Sequence, residues 1–134
     1  MKGIADTGFL VAFANRQDQH HAWALGIAGQ LTGPLLTGDA VLAEVAFNLH
    51  SVEIALSLMR EGMVTPVFSI ANNRARLEAL AGRYRDRKPD LADLCLIRLS
   101  EMYPRHPVIT TDVRDFQIYR RGRRERIPLI CPPS

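Results

Sequence analysis

The sequence predicts an α/β fold, a three-layer α/β/α arrangement around a central, mostly parallel sheet. Two observations predict it. Short apolar runs of strand length alternate with longer runs at helical spacing along the whole chain, an order that calls for parallel pairing through crossover helices. The 134 residues, 47% of them hydrophobic and 23% charged, also suit one globular domain spanning residues 1–134. Internal repeats, low-complexity tracts and linkers are absent from the sequence.

Gly3-Ile4-Ala5 reads as a buried strand that runs into a turn at Asp6-Thr7-Gly8. Phe9 to Ala14 is apolar, and Asn15 to Asp18 breaks the pattern. From His20 to Leu31 a helix is expected, because Trp23, Ile27 and Leu31 fall on one face. Pro34 to Thr37 is a strand candidate; Gly38-Asp39 then supplies a turn and an N-cap for a helix from Ala40 to Leu49. Val52 to Arg60 is a further helix closed by Gly62, and Met63 to Phe68 a strand that Pro66 assigns to a sheet edge. Ser69 caps a helix from Ile70 to Tyr84. Pro89 stands near the start of the next helix, which carries Leu91, Leu94, Leu96, Ile97 and Leu99. His106 to Thr111 and Ile127 to Cys131 complete the strands.

Composition narrows the setting. Cys95 and Cys131 make neither a disulfide framework nor a metal knuckle, which favours a reduced, cytoplasmic environment. No apolar run reaches membrane-span length, and Asp6 interrupts any leader-like start, so no membrane role is expected. The net charge of +3 is mild, but Arg120, Arg121, Arg123, Arg124 and Arg126 form one basic cluster and Arg83, Arg85, Arg87 and Lys88 another. Such clusters engage nucleic-acid phosphates or an acidic protein partner; they also occur as solvated faces.

The acids carry the chemistry. Ligands of an open parallel sheet bind beyond the carboxyl ends of its strands. Asp6 directly follows the first strand and Asp112 directly follows Val108–Thr111, while Glu44 and Asp93 lie early in helices that follow turns. If these segments converge, four carboxylates share one pocket. Their repulsion is relieved by a divalent cation, and oxygen donors without His or Cys favour Mg2+ or Mn2+ over zinc. Such an ion suits phosphodiester hydrolysis. Each acid also has a plainer role. Asp6 suits a turn, Asp90 and Asp93 suit the first turn of a helix, and Asp112 with Asp115 suits a capped turn. Glu44 differs, since burying an unpaired acid among Val41, Leu42, Ala43, Val45, Ala46 and Phe47 is costly. His20-His21 reads as a surface or turn pair with no third ligand, Trp23 as core, and Cys95 as a small buried hydrophobe. P-loop, zincin, serine-hydrolase and dinucleotide-binding motifs are missing.

Taken together these positions resemble a known family. Ile4-Ala5-Asp6-Thr7-Gly8-Phe9-Leu10 resembles the opening of PIN-domain ribonucleases, and Asp18-Gln19-His20-His21-Ala22 the step that follows it. Val41-Leu42-Ala43-Glu44-Val45 is similar to the second acidic motif, Pro89-Asp90-Leu91-Ala92-Asp93 to the third, and Thr110-Thr111-Asp112-Val113-Arg114-Asp115-Phe116 to the fourth. The order and spacing are most similar to the VapC-type toxin branch. The resemblance implies a PIN-like fold and a Mg2+-dependent endoribonuclease whose substrate is RNA. It further implies a cognate antitoxin protein and a homodimer. Asp6, Glu44, Asp93 and Asp112 would be the catalytic, metal-holding acids, with Asp6 and Asp93 the firmest ligands. Thr7 would support the site, and Asp90 and Asp115 match accessory acids. Two departures stand out: Leu94-Cys95 follows the third acid where relatives carry a small residue, and the connection at Leu49–Val52 is short.

Other classes stay open at this stage. A non-catalytic RNA- or protein-binding module on the same fold would bind without regard to metal. A dimeric aspartic protease shares Asp6-Thr7-Gly8, but that family is nearly all β, and it would leave the other acids without a role.

Overall fold

In the computed structural model, which describes residues 1–134, β1 (Ile4–Ala5) turns directly into α1 (Thr7–Ala14). Asp6 makes the turn: its own backbone is extended, and its carboxylate accepts the Thr7 N–H, capping the helix. There follow α2 (His21–Ala28), β2 (Leu35–Gly38), α3 (Asp39–Leu49), α4 (Val52–Arg60) and β3 (Val64–Phe68). The second half comprises α5 (Arg74–Arg83), α6 (Leu91–Met102), β4 (Val108–Ile109), α7 (Val113–Phe116), a hairpin of β5 (Arg120–Arg121) and β6 (Glu125–Arg126), and β7 (Leu129–Ile130).

The central sheet has the order β3-β2-β1-β4-β7 and every pairing in it is parallel. Ile4 pairs with Leu36 on one side and with Val108 on the other, and Ile109 pairs with Ile130. The chain first steps outward from β1 to β2 and β3, then returns to the far side of β1. Right-handed crossovers therefore place the helices of the outward path on one face and those of the return path on the other. The turning point of the topology lies between β1 and β4, which is where a ligand cleft opens in such sheets. β3, with Pro66, is an edge strand as its sequence indicates.

The core joins both faces of the sheet. Ile4, Ala5, Val108 and Ile109 are fully buried, and α6 buries Ala92, Leu94, Cys95, Leu96, Ile97, Leu99 and Ser100, nearly its whole circumference. A helix apolar all round belongs in an interior. Trp23 packs edge-on against Phe9 with ring centres 5.8 Å apart, as its helical spacing suggests. Burial pushes the Cys95 thiol up to about 11, so it is an inert core group. No helix is long and apolar enough to cross a membrane.

Several elements differ from their sequence outlines. Gly38 occupies the N-cap of α3 and Asp39 its first turn, where an acid meets the positive end of the helix. The helix expected from Ile70 opens as a separate 3-10 turn at Ala71–Asn73, because Ser69 Oγ accepts the Asn72 N–H and Asn73 donates its amide back to Ser69 O. The strand expected over 106–111 pairs only at Val108–Ile109. The short connection after α3 is made by His50 in the left-handed region (φ 52°) and by Ser51, which caps α4 through the Ile54 N–H. The Arg120–Arg126 hairpin is without a counterpart in the sequence outline; Gly122 (φ 58°) turns it.

Candidate active site

The four acids singled out from the sequence come from four separate elements. Asp6 follows β1, Glu44 lies in the middle of α3, Asp93 sits in the first turn of α6, and Asp112 caps α7 just beyond β4. Asp6 and Asp112 thus flank the topological turning point, while contact between α3 and α6 brings the other two alongside.

Asp6 is the most enclosed, with 6% of its surface exposed. Its Oδ1 accepts the Thr7 N–H at 2.6 Å, and its Oδ2 accepts the Thr110 hydroxyl at 2.5 Å. The same Thr110 oxygen accepts the Asp112 N–H at 2.8 Å, so one threonine ties the first acidic segment to the fourth. Thr7 donates its hydroxyl to Glu44 Oε1 at 3.0 Å and joins the first to the second. Asp93 Oδ2 accepts the phenol of Tyr119 at 3.3 Å. That ring is buried between Tyr84 and Phe116, with centres 5.0 and 5.4 Å away. Gly8 completes the close packing: a Cβ there would stand 2.1 Å from Thr111 Oγ1. Alanine at position 8 would thus displace the side chain preceding Asp112.

The electrostatics register the crowding. Burial pushes the Asp6 carboxyl up to about 6, against the bonds from Thr110 and Thr7, and the charges of Asp112 and Glu44 add to the rise. Asp93 is pushed up to about 8, first by burial and then by Asp90, Asp6 and Asp112. Glu44 is raised by burial and by Asp90; Asp112 by burial and by Asp115 and Asp90. Asp90 caps α6 through the Asp93 N–H at 2.8 Å and contributes its charge to three of the four acids. Asp115 pairs with Arg87 at 3.4 Å and donates its backbone N–H to Asp112 Oδ1. Asp18 stands apart, holding the turn before α2 through the His20 N–H.

A pH dependence of stability follows. The folded pKa values of Asp6 and Asp93 lie above the unfolded value of about 3.9. The folded protein therefore binds more protons than the unfolded chain from about pH 4 to about pH 6 through Asp6, and to about pH 8 through Asp93. Stability is greatest at the acidic side of that window and falls as pH rises across it. The thermal midpoint in EDTA is expected to drop between about pH 5 and about pH 8. A midpoint that climbs over the same interval contradicts this electrostatic account.

The structure contains no set of three or more His, Cys, Asp or Glu side chains at metal-holding spacing. The acids are linked through charge and hydrogen bonding without converging on one point. The donor set still suits a hard divalent cation: it is made of carboxylate oxygens alone, and its pKa values are raised by burial and then by neighbouring acids, with no cation beside Asp6 or Asp93 to offset them.

Sequence reasoning did not single out Thr110 or Tyr119. The Thr110-Thr111 pair at a strand end was the available sign for the first; Tyr119 bonds an acid 26 residues away and carries no local one.

Comparison with known proteins places these features in context. The model of the PIN domain family matches residues 4–122. Among solved structures, the crystal structure of Mycobacterium tuberculosis VapC20, described as a sarcin-ricin loop cleaving toxin, matches with a TM-score of 0.67. Its sequence is 18% identical, and the match covers 81% of this chain and 87% of that one, a likeness of fold. Among curated proteins none matches the sequence.

Proposed function

Since the chain belongs to the PIN domain family, we propose that it is a metal-dependent endoribonuclease of the VapC toxin type. One observation carries this reading: four carboxylates from four elements, each with its pKa raised first by burial and then by neighbouring acids, stand at the turning point of a parallel sheet. A binding module has no need of so costly a cluster. Asp6, Glu44, Asp93 and Asp112 would hold Mg2+, with Mn2+ an alternative. A bound ion of this kind supplies a more acidic water and polarises the phosphoryl oxygens of an RNA phosphodiester.

The chain's own residues do the positioning. Thr110 and Thr7 hold the Asp6 and Glu44 carboxylates in place, and Thr110 fixes the backbone from which Asp112 projects. Tyr119 orients Asp93 by donating to one of its oxygens. Hydrolysis adds a water oxygen to phosphorus and breaks a phosphorus–oxygen ester bond, and the departing ribose oxygen takes up a proton. Arg83, Arg85, Lys88, Arg114, Arg123 and Arg124 are exposed around the α5–α6 connection, α7 and the hairpin, and none pairs with an acid. They suit phosphates of bound RNA or an acidic antitoxin segment. The apolar groove of α3 and α4, with Leu42, Ala46, Val52, Leu56 and Met59, supports protein partners: an antitoxin, a second copy in a homodimer, or both. The reduced cysteines fit a cytoplasmic setting.

The test is cleavage of total cellular RNA by the purified, antitoxin-free protein. Discrete products are expected with Mg2+ or Mn2+ and none with EDTA. The non-catalytic RNA- or protein-binding reading has one observation in its favour, the acids' lack of metal-holding spacing. It predicts RNA binding that EDTA leaves unchanged and no products under any condition.

A further inference from the structure

Beside the acids lies a cleft of about 420 Å3 to which the reading above gives no role. It adjoins the fourth acidic segment, because Thr111 and Val113, the chain neighbours of Asp112, both line it. One wall is Cys131 and Pro132–Pro133, the chain leaving β7 past the carboxyl end of the sheet, where the Thr110 N–H still bonds Ile130 O at 3.0 Å. Across from them stands His20 at the start of α2, its ring edge-on to Trp23 at 6.5 Å; Gln117, just after α7, lines it too.

The lining differs from its surroundings in one respect: it contains no Asp, Glu, Lys or Arg. Acids lie on one side and Arg114 projects from α7 nearby, yet no side chain lining the cleft, Ser134 at its edge included, carries a charge. Its polar side chains are free. His20 bonds only through its backbone, to Asp18 Oδ1 and the Ala24 N–H. The bonds of Gln117 likewise run through its N–H and carbonyl, to Val113 and Arg120, leaving the side-chain amide unused. An imidazole and two prolines offer flat faces, and a primary amide offers a donor and an acceptor side by side.

We propose that this cleft receives the base of a nucleotide flanking the scissile phosphate, and that His20 and Gln117 set the base preference of cleavage. The proposal rests on the RNA-cleavage reading. A strand whose phosphate lies among the acids carries its next base one nucleotide along. That base is the flat, uncharged part of the nucleotide, with hydrogen-bonding groups on its edge. A phosphate placed in a cleft without a basic side chain would go without a counter-charge, whereas an unstacked base finds faces to stack on and an amide to pair with. The volume falls in the range of small-molecule sites.

Two experiments test the site and separate it from the nuclease reading. In the first, the four nucleoside 5′-monophosphates are titrated into isotope-labelled wild-type protein, and the Gln117 side-chain amide, assigned by its loss in Gln117→Ala, is followed by NMR. At least one monophosphate is expected to shift it at millimolar concentration, with binding at least about fivefold weaker in His20→Ala. No shift with any of the four overturns the site, whether or not the protein cuts RNA. In the second, cut sites in cellular RNA are mapped for wild type, His20→Ala and Gln117→Ala. A preference at one position beside the cut is expected to flatten in both variants; an unaltered preference in both overturns the proposal. A shifted amide from a protein that cleaves no RNA leaves the base site standing and removes the nuclease reading instead.

Discussion

RNA cleavage by the Asp93→Asn protein is expected to fall by about 100-fold to 1,000-fold, while its metal-free thermal midpoint rises. Both effects have one source. The Asp93 carboxyl is raised to about 8 by burial and by Asp90, Asp6 and Asp112, so at neutral pH its ionised form is a burden on the folded state. Asparagine keeps the shape and an oxygen for the Tyr119 phenol at 3.3 Å, but removes the charge. After a discount for solvent screening of this partly exposed group, the gain is about 1–2 kcal/mol, or roughly 4–7 °C in a domain of this size. Below about pH 4 the wild-type side chain is protonated in both states and the difference vanishes. A cleavage assay with Mg2+, paired with thermal melts in EDTA at pH 5 and pH 8, reads both quantities. An active variant would dismiss the catalytic role of Asp93; an inactive variant that melts below wild type at pH 8 would point to lost packing instead.

This opposition between stability and chemistry also explains how much of the site could be read from the sequence. Asp6 and Asp112 stood out because each follows an apolar strand, and parallel sheets gather such positions at one end. Glu44 stood out because an acid in an apolar helical stretch contradicts its surroundings. Asp93 was weaker evidence on its own, since an acid in a first helical turn is stabilised there by the helix dipole; only its company distinguishes it. The partners that position these acids were illegible. Thr110 bonds Asp6 across 104 residues and Tyr119 bonds Asp93 across 26, and such pairings depend on how elements pack, which no local pattern encodes. The fold class was carried by alternating strands and helices, but the hairpin was hidden within a run of arginines. The structure divides that run. Arg120 folds back onto the carbonyls of residues 117–119, Arg121 is buried against the Ser100 and Pro104 carbonyls, and Arg123, Arg124 and Arg126 are exposed.

The Glu101→Ala protein is expected to lose about 2–3 kcal/mol of stability, roughly 7–11 °C of thermal midpoint, and to release that hairpin. Glu101 lies near the end of α6 with only 10% of its side chain exposed. It accepts from Arg76 Nε at 2.9 Å and Nη2 at 2.5 Å, from Arg98 Nη1 at 3.4 Å and from the Gly122 N–H at 2.7 Å. Burial alone would raise its pKa, but the bonds from Arg76 and Gly122 outweigh it and hold the carboxyl below its usual range. Its contribution is therefore present at neutral pH and lost on acidification through that lowered value, opposite in sign to that of Asp93. Removing the carboxylate leaves Arg76 and Arg98 facing each other with no acid between them and frees the Gly122 N–H, so the turn is held only through the Gly122 carbonyl, by Arg83 at 2.6 Å and Arg76 at 3.4 Å. Because Arg76 and Arg98 are about one third exposed (28% and 32%), the loss is set just below that of a fully buried broken ion pair. Amide exchange at Arg121–Arg126 is expected to accelerate more than exchange in β1 or β4, since the sheet does not depend on this carboxylate. Glu101→Gln, which retains acceptance from Gly122 but not the charge, should fall between wild type and alanine. A melt unchanged in Glu101→Ala would mean that the arginines are satisfied by solvent and that Arg83, Arg121 and Tyr84 hold the hairpin without it.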